Sequence, residues 1–198
     1  MPARKIVIYG GAFNPPHLGP AAVLDLLLQI FPCDEVWIMP SASRRDKQIA
    51  VSGQDRKNMI EALLRSGFSG VKTPIVLSDF EISRDKPTVT YETKAELERL
   101  HPEYEFHFLV GSDSVAEIEE KWVRGRDLFS EAKFVIVGRP KFKISEKLPN
   151  HSSVIGSLPE SLDMSSTLVR DRICRGESVS RYLHPAIEQY IKDRNLYK

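Results

Sequence analysis

Two rhythms of apolar residues alternate along the chain. Residues 5–10 (KIVIYG) form a β-branched run stopped by glycine and read as a strand, whereas residues 21–31 (AAVLDLLLQIF) are apolar almost all round, as in a helix covered on more than one side. Residues 35–40 (EVWIMP) read as a second strand ended by proline, and residues 54–67 as a helix with Met59, Ile60, Leu63 and Leu64 on one side and a terminal glycine. A loop at 41–53 separates them. The same alternation predicts strands at 74–81, 104–113, 133–140 and 152–158, and helices at 90–100, 116–122, 124–132 and 165–176. At 181–194, Leu183, Ile187, Tyr190 and Ile191 recur at i, i+4, i+7 and i+8, so this last helix packs one face on the body. Strands alternating with helices predict an α/β fold: a Rossmann-like parallel sheet with helices on both faces, a C-terminal helical segment, and a ligand crevice beyond the carboxyl ends of the strands.

With 198 residues and no linker, low-complexity stretch or internal repeat, the chain reads as a single domain over 1–198. Its 28 basic and 27 acidic residues give no net field for nucleic acid, so anionic ligands have to be met by local groups. The two cysteines, Cys33 and Cys174, lack metal-ligand spacing and suit a reducing compartment. Without a signal-type apolar core or a membrane-length apolar run, a cytoplasmic protein with no membrane partner is expected. A homo-oligomer is compatible with all of this and not readable from it.

Candidate chemistry concentrates in GGAFNPPHLGP, residues 10–20. The turn lacks the Gly-x-Gly-x-x-Gly spacing, and no Gly-x4-Gly-Lys-Ser/Thr loop exists in the chain, so both familiar nucleotide loops are excluded. What remains is a glycine pair at a strand end, two stiffening prolines, and His17 shortly before a helix that starts near Gly19. Glycines admit close backbone approach and a helix start offers free amides with partial positive charge, which together suit a phosphate. A second anion site is expected at MSSTLVR. If Ser165 or Ser166 caps the helix, the amides of Ser166, Thr167 and Leu168 point outward, with Arg170 one turn beyond Ser166.

GGAFNPPHLG resembles the Gly-Gly-Thr/Ser-Phe-Asp/Asn-Pro-x-His-x-Gly-His signature of the nucleotidyltransferase superfamily, and most closely the nicotinate-nucleotide adenylyltransferase family. The resemblance extends through the loop carrying Lys47, PTVTYET from Pro87, FLVGSDS from Phe108, Trp122, GRP from Gly138, and residues 164–191. It implies a nucleotidyltransferase fold and adenylyl transfer from ATP to nicotinate mononucleotide, giving deamido-NAD and pyrophosphate, with Mg2+ accompanying ATP and Asp113 a candidate contributor to its coordination. His17, Lys47 and Arg170 would then be the catalytic groups. Gly10, Gly11, Ala12, Phe13, His17, Arg139, Ser165, Ser166, Thr167 and Arg170 would bind ATP, while Thr90, Tyr91, Gly111, Asp113 and Trp122 would bind the acceptor, Trp122 by stacking on its pyridine ring. Two departures stand out. Ala12 replaces a hydroxyl residue, and Pro20 replaces the second histidine, a change a helix's first turn tolerates because its N–H has no helical partner. Nicotinamide mononucleotide or phosphopantetheine as acceptor, and a silent nucleotide-binding homologue, are the alternatives.

Overall fold

The computed structural model describes residues 2–42, 51–84 and 87–198. Among them six strands, β1 (Arg4–Gly11), β2 (Glu35–Pro40), β3 (Ile75–Leu77), β4 (Tyr104–Gly111), β5 (Lys133–Gly138) and β6 (His151–Ser157), form one sheet in the order β3-β2-β1-β4-β5-β6. Every pairing is parallel. The helices are α1 (Leu18–Ile30), α2 (Gly53–Gly67), α3 (Thr90–Leu100), α4 (Ser112–Lys121), α5 (Gly125–Glu131), α6 (Ser166–Cys174) and α7 (Pro185–Asp193), with a 3-10 turn at Glu160–Leu162.

The period-2 alternation of β1 decides the layering. Ile6 and Ile8 join Met39, Phe106, Phe108, Phe134 and Ile136 on one face, covered by Leu97 of α3, Val115 and Ile118 of α4 and Leu128 of α5. Val7 and Tyr9 join Val36, Ile38, Val135 and Val137 on the other, covered by Val23, Leu24 and Leu27 of α1 and Ile60 of α2. Because both faces are covered, the strand reads as a continuous apolar run rather than an alternating one. A third cluster packs Val169 of α6 and Ile187 and Ile191 of α7 against Met59 and Leu63 of α2. This last cluster seats α6 beside the start of α1.

Several expected boundaries differ: the last helix starts only at Pro185, with Leu183 in the turn before it, and three differences bear on the site. The third strand is only Ile75–Leu77, because Asp79 to Ser83 turn away, with the Ser83 N–H bonded to the Asp79 carbonyl (3.1 Å). The helix expected from residue 116 begins at Ser112, directly after Gly111 ends β4, so Asp113 belongs to a helix's first turn instead of a strand. The first helix begins at Leu18 and His17 itself is its N-cap.

Candidate active site

Strand order reverses between β1 and β4, and the crevice opens there. The β1–β4 ladder ends at Ile8↔Phe108, while β1 stays paired to β2 as far as Gly11↔Pro40. Gly10, in a central strand, is consequently exposed, and a Cβ built on it would meet nothing within 4 Å. An open floor at the carboxyl end of the sheet is where this architecture takes ligands.

The turn that follows is held by its carbonyls. Gly11 O accepts from Ser41 N–H (2.9 Å), Asn14 O from the Arg170 guanidinium (2.9 Å) and Pro15 O from Ser166 Oγ (2.9 Å). Phe13 adopts a left-handed φ of 47°, uncommon for a non-glycine residue, and its buried ring packs edge-on to Tyr9 at 5.4 Å. The Asn14–Pro15 peptide is cis. The start of α6, distant along the chain, is thereby bonded to the turn that opens α1.

His17 is 5% exposed, and its Nδ1 accepts the Gly19 N–H at 3.1 Å. Burial, aided by the positive charge of Arg139, holds its pKa down at about 4, so the imidazole is neutral at physiological pH. With Nδ1 accepting, the proton sits on Nε2, which makes that atom the ring's donor. Gly19 is required by packing: a Cβ there would lie 2.7 Å from Cε1 and 2.9 Å from Nδ1 of the same ring.

Gly111 performs a matching role across the crevice. A Cβ on it would fall 2.2 Å from Asp113 Oδ1 and 2.9 Å from Arg139 Cδ, so carboxylate and guanidinium stem both fold over a bare backbone. Arg139 and Asp113 are 3.8 Å apart, and Asp113 Oδ1 is buried without a hydrogen-bond partner among the described residues. Ser112 Oγ accepts the Arg139 N–H (2.9 Å) and fixes the exit of β5. Gly111, Asp113 and Arg139 therefore form one group, whose Arg139 charge also acts on His17.

At the start of α6, Ser165 is the cap, its Oγ accepting the Leu168 N–H at 3.2 Å. This corrects the expected set of free amides, since Leu168 is taken and those of Ser166 and Thr167 remain. The Ser166 hydroxyl faces the turn and not the crevice. Arg170 also donates to Thr167 Oγ1 (3.2 Å), so its guanidinium links the turn at Asn14 to the start of α6. α3 begins after Val89 and α4 after Gly111, neither of which has a side-chain oxygen to cap with. Arg124 lies 4.2 Å over the Tyr91 ring, bringing the α4–α5 junction that carries Trp122 against the start of α3. Trp122 is half-buried, packed on the face that also receives Tyr91. Glu81 accepts from Thr88 Oγ1 (2.9 Å) and Thr93 Oγ1 (2.6 Å), tying the approach segment to α3. Lys47, with Arg44 and Arg45, lies outside the described residues.

Two residues escape sequence reasoning. Arg56 is 1% exposed and donates to Ala12 O at 2.8 Å; its signal is that it falls in phase with Met59, Ile60 and Leu63 on the apolar stripe. Tyr197 donates to Asn14 Oδ1 at 2.8 Å, with burial pushing its phenol pKa up, and nothing in the pattern announces that contact.

A parallel sheet whose switch point is flanked by a neutral histidine and two helix starts defines a nucleotidyltransferase-type site. The cytidylyltransferase-like family matches residues 8–172. Proteins named as probable nicotinate-nucleotide adenylyltransferases from Shouchella clausii and Exiguobacterium sibiricum are 32% and 33% identical, covering 98% of this chain and 97% and 98% of their own lengths. Plasmodium falciparum nicotinic acid mononucleotide adenylyltransferase superposes with a TM-score of 0.89 in its complex with NaAD (31% identity) and 0.85 in its complex with APC (30%), each covering 98% of this chain and 97% of the other. The chain belongs to the cytidylyltransferase-like family and, within it, to the nicotinate-nucleotide adenylyltransferases.

Proposed function

We propose that this protein transfers the adenylyl group of ATP to nicotinate mononucleotide, forming deamido-NAD and pyrophosphate in NAD biosynthesis. The observation that carries the reading is the joining of the Gly10–Leu18 turn to the start of α6, through Ser166 and Arg170, beside a neutral Nε2–H donor. Attack by the acceptor's 5′-phosphate oxygen on the α-phosphorus needs no protein nucleophile. It needs alignment and neutralisation of charge on the equatorial and leaving oxygens.

Within this reading, backbone amides of the first turn meet the nucleotide's phosphates and His17 donates Nε2–H to the oxygen gaining charge. The Ser166 and Thr167 amides with Arg170 hold the leaving pyrophosphate portion. Lys47 adds positive charge from the segment after β2. Mg2+ enters with ATP as part of the substrate; among the described residues no cluster of three His, Cys, Asp or Glu forms a protein cage, and Asp113 with its unpartnered oxygen suits a single contribution to an ion otherwise held by phosphates and water. The uncapped starts of α3 and α4 offer amides to the acceptor's carboxylate and ribose, around Thr90, Tyr91 and Gly111, and Trp122 stacks on the pyridine ring. Both substrates are small molecules, and no helix among the described residues is long and apolar enough to cross a membrane. We assign the protein to the cytoplasm.

Pro20, third residue of α1, supplies neither imidazole nor N–H, and its carbonyl accepts from the buried Tyr9 hydroxyl (3.2 Å). One charge-assisted hydrogen bond fewer corresponds to a rate lower by about ten- to a hundredfold, which still leaves an enzyme. The test is pyrophosphate release by pure protein with ATP, Mg2+ and, in separate reactions, nicotinate mononucleotide, nicotinamide mononucleotide and phosphopantetheine. The acid is expected to give the highest kcat/KM. Absence of pyrophosphate with it, in protein that binds ATP, would support the silent homologue that Pro20 suggests.

A further inference from the structure

Arg56 occupies a place that the stripe of α2 assigns to hydrocarbon. It is 1% exposed, its two terminal nitrogens donate to Ala12 O (2.8 Å) and Ala42 O (3.3 Å), and its Nε is buried with no partner among the described residues. No carboxylate of the described residues pairs with it. Asp55, its neighbour in the chain, lies a hundred degrees round the helix and is taken by Ser52 Oγ (2.5 Å), Tyr190 Oη (3.0 Å) and Arg194 (3.5 Å). A guanidinium does not shed its proton, and burial of an uncompensated charge is costly.

In a trans peptide unit the C=O and the following N–H point in opposite directions. Among the units of the turn whose carbonyls are tied back, those after Asn14 and Pro15 lead into prolines and carry no N–H. The other two, tied back by Ser41 and Arg56, carry the N–H groups of Ala12 and Phe13 and direct them away from Ser41 and Arg56 respectively. Neither N–H has a hydrogen-bond partner among the described residues.

We infer that Arg56 is a positioning residue of the nucleotide site: by gripping the Ala12 carbonyl from behind it aims the Phe13 N–H at a phosphate oxygen, and its unpaired charge is balanced when the phosphoanion binds. The same planar fork grips Ala42, at the exit of β2, so one side chain sets the phosphate turn and the root of the segment leading to Lys47 relative to each other. A lysine carries its three donors on one nitrogen and lacks the planar fork that meets the two carbonyls from two separate nitrogens.

This inference rests on the nucleotide-binding reading, and the experiment separates the two. ATP affinity is measured by calorimetry, and melting temperature by calorimetric scan, for the unaltered protein, Arg56→Met, Arg56→Lys and Arg56→Ala. Arg56→Met removes an uncompensated buried charge, which favours the fold, and the donors to the Ala12 and Ala42 carbonyls, which disfavours it, so the two effects oppose each other. Arg56→Met is therefore expected to melt close to the parent while binding ATP about ten- to a hundredfold more weakly, the size of one lost charge-assisted hydrogen bond. Arg56→Lys is expected to lose about tenfold in ATP affinity with the KM for the acceptor unchanged. Millimolar guanidinium ion should restore part of the affinity of Arg56→Ala and leave the parent unaffected. Parent-like ATP affinity in the folded Met or Lys variant, or an affinity loss that only tracks a fall in melting temperature, overturns the inference while the nucleotide reading survives. Failure of the parent to bind ATP overturns the nucleotide reading and this inference with it.

Discussion

Gly19→Ala separates the packing of the site from the stability of the fold. The added methyl would sit 2.7 Å from Cε1 and 2.9 Å from Nδ1 of His17, inside the closest approach real side chains tolerate, so the imidazole has to swing out and the Nδ1···H–N bond to Gly19 breaks. Two stability effects then oppose each other. Alanine gains up to about 1 kcal/mol over glycine within a helix, while loss of an N-cap hydrogen bond costs about 1 kcal/mol. They nearly cancel, and the melting temperature should move by no more than about 4 °C. In the role proposed for His17 catalysis has no such compensation, because the Nε2–H would be withdrawn from the oxygen that gains charge. Removing one preorganised donor of this kind lowers kcat by about a hundred- to a thousandfold. The assay is pyrophosphate release at saturating ATP and nicotinate mononucleotide, beside a calorimetric scan. A Gly19→Ala protein with parental kcat would refute the assignment of His17 as the transition-state donor.

Four further outcomes follow from named contacts. Because the folded pKa of His17 is about 4 against the ordinary 6.5, the unfolded chain takes up the proton first; the resulting stability is fully present above 6.5 and fades as pH falls through 4, a loss of about 3 kcal/mol that urea titrations should find in the parent and not in His17→Gln. Tyr197→Phe leaves Asn14 Oδ1 without its donor and should lower stability by about 1–2 kcal/mol, read as a drop of about 3–6 °C in melting temperature; an unchanged value would mean that this contact does not hold the turn. Trp122→Ala should raise the KM for nicotinate mononucleotide several-fold with the KM for ATP unchanged, and equal effects on both would remove Trp122 from the acceptor side. Pro20→His should raise kcat by about ten- to a hundredfold, and a flat response would show that the missing imidazole is already replaced.

The layers of the fold were legible because their cause is periodic. Ile6, Val7, Ile8 and Tyr9 divide between two faces by the pleat alone, and the stripe of Met59, Ile60 and Leu63 follows from helical pitch. The third strand was overread because Val76 and Leu77 look like strand on into SDFE, whereas the chain turns at Asp79 to bring Glu81 under Thr88 and Thr93. Within the site, glycines and helix starts were readable by type and spacing. The tautomer of His17, the choice of Ser165 over Ser166 as cap, and the grip of Arg56 were not, since each depends on which atom of a distant element faces it. Arg56 shows the general difficulty: a charge in phase with an apolar stripe is visible, but the carbonyls it meets lie 44 and 14 residues away.

The binding turn near residue 14 is closed by Arg170 and Tyr197, contacts spanning 156 and 183 positions. In the proposed binding mode, a chain whose C-terminal third has not docked lacks both contacts, so nucleotide bound at this turn would report on the finished molecule. Added ATP should accordingly slow amide exchange at the end of β1 and at the start of α6 together, by one common factor set by occupancy, instead of protecting either stretch independently.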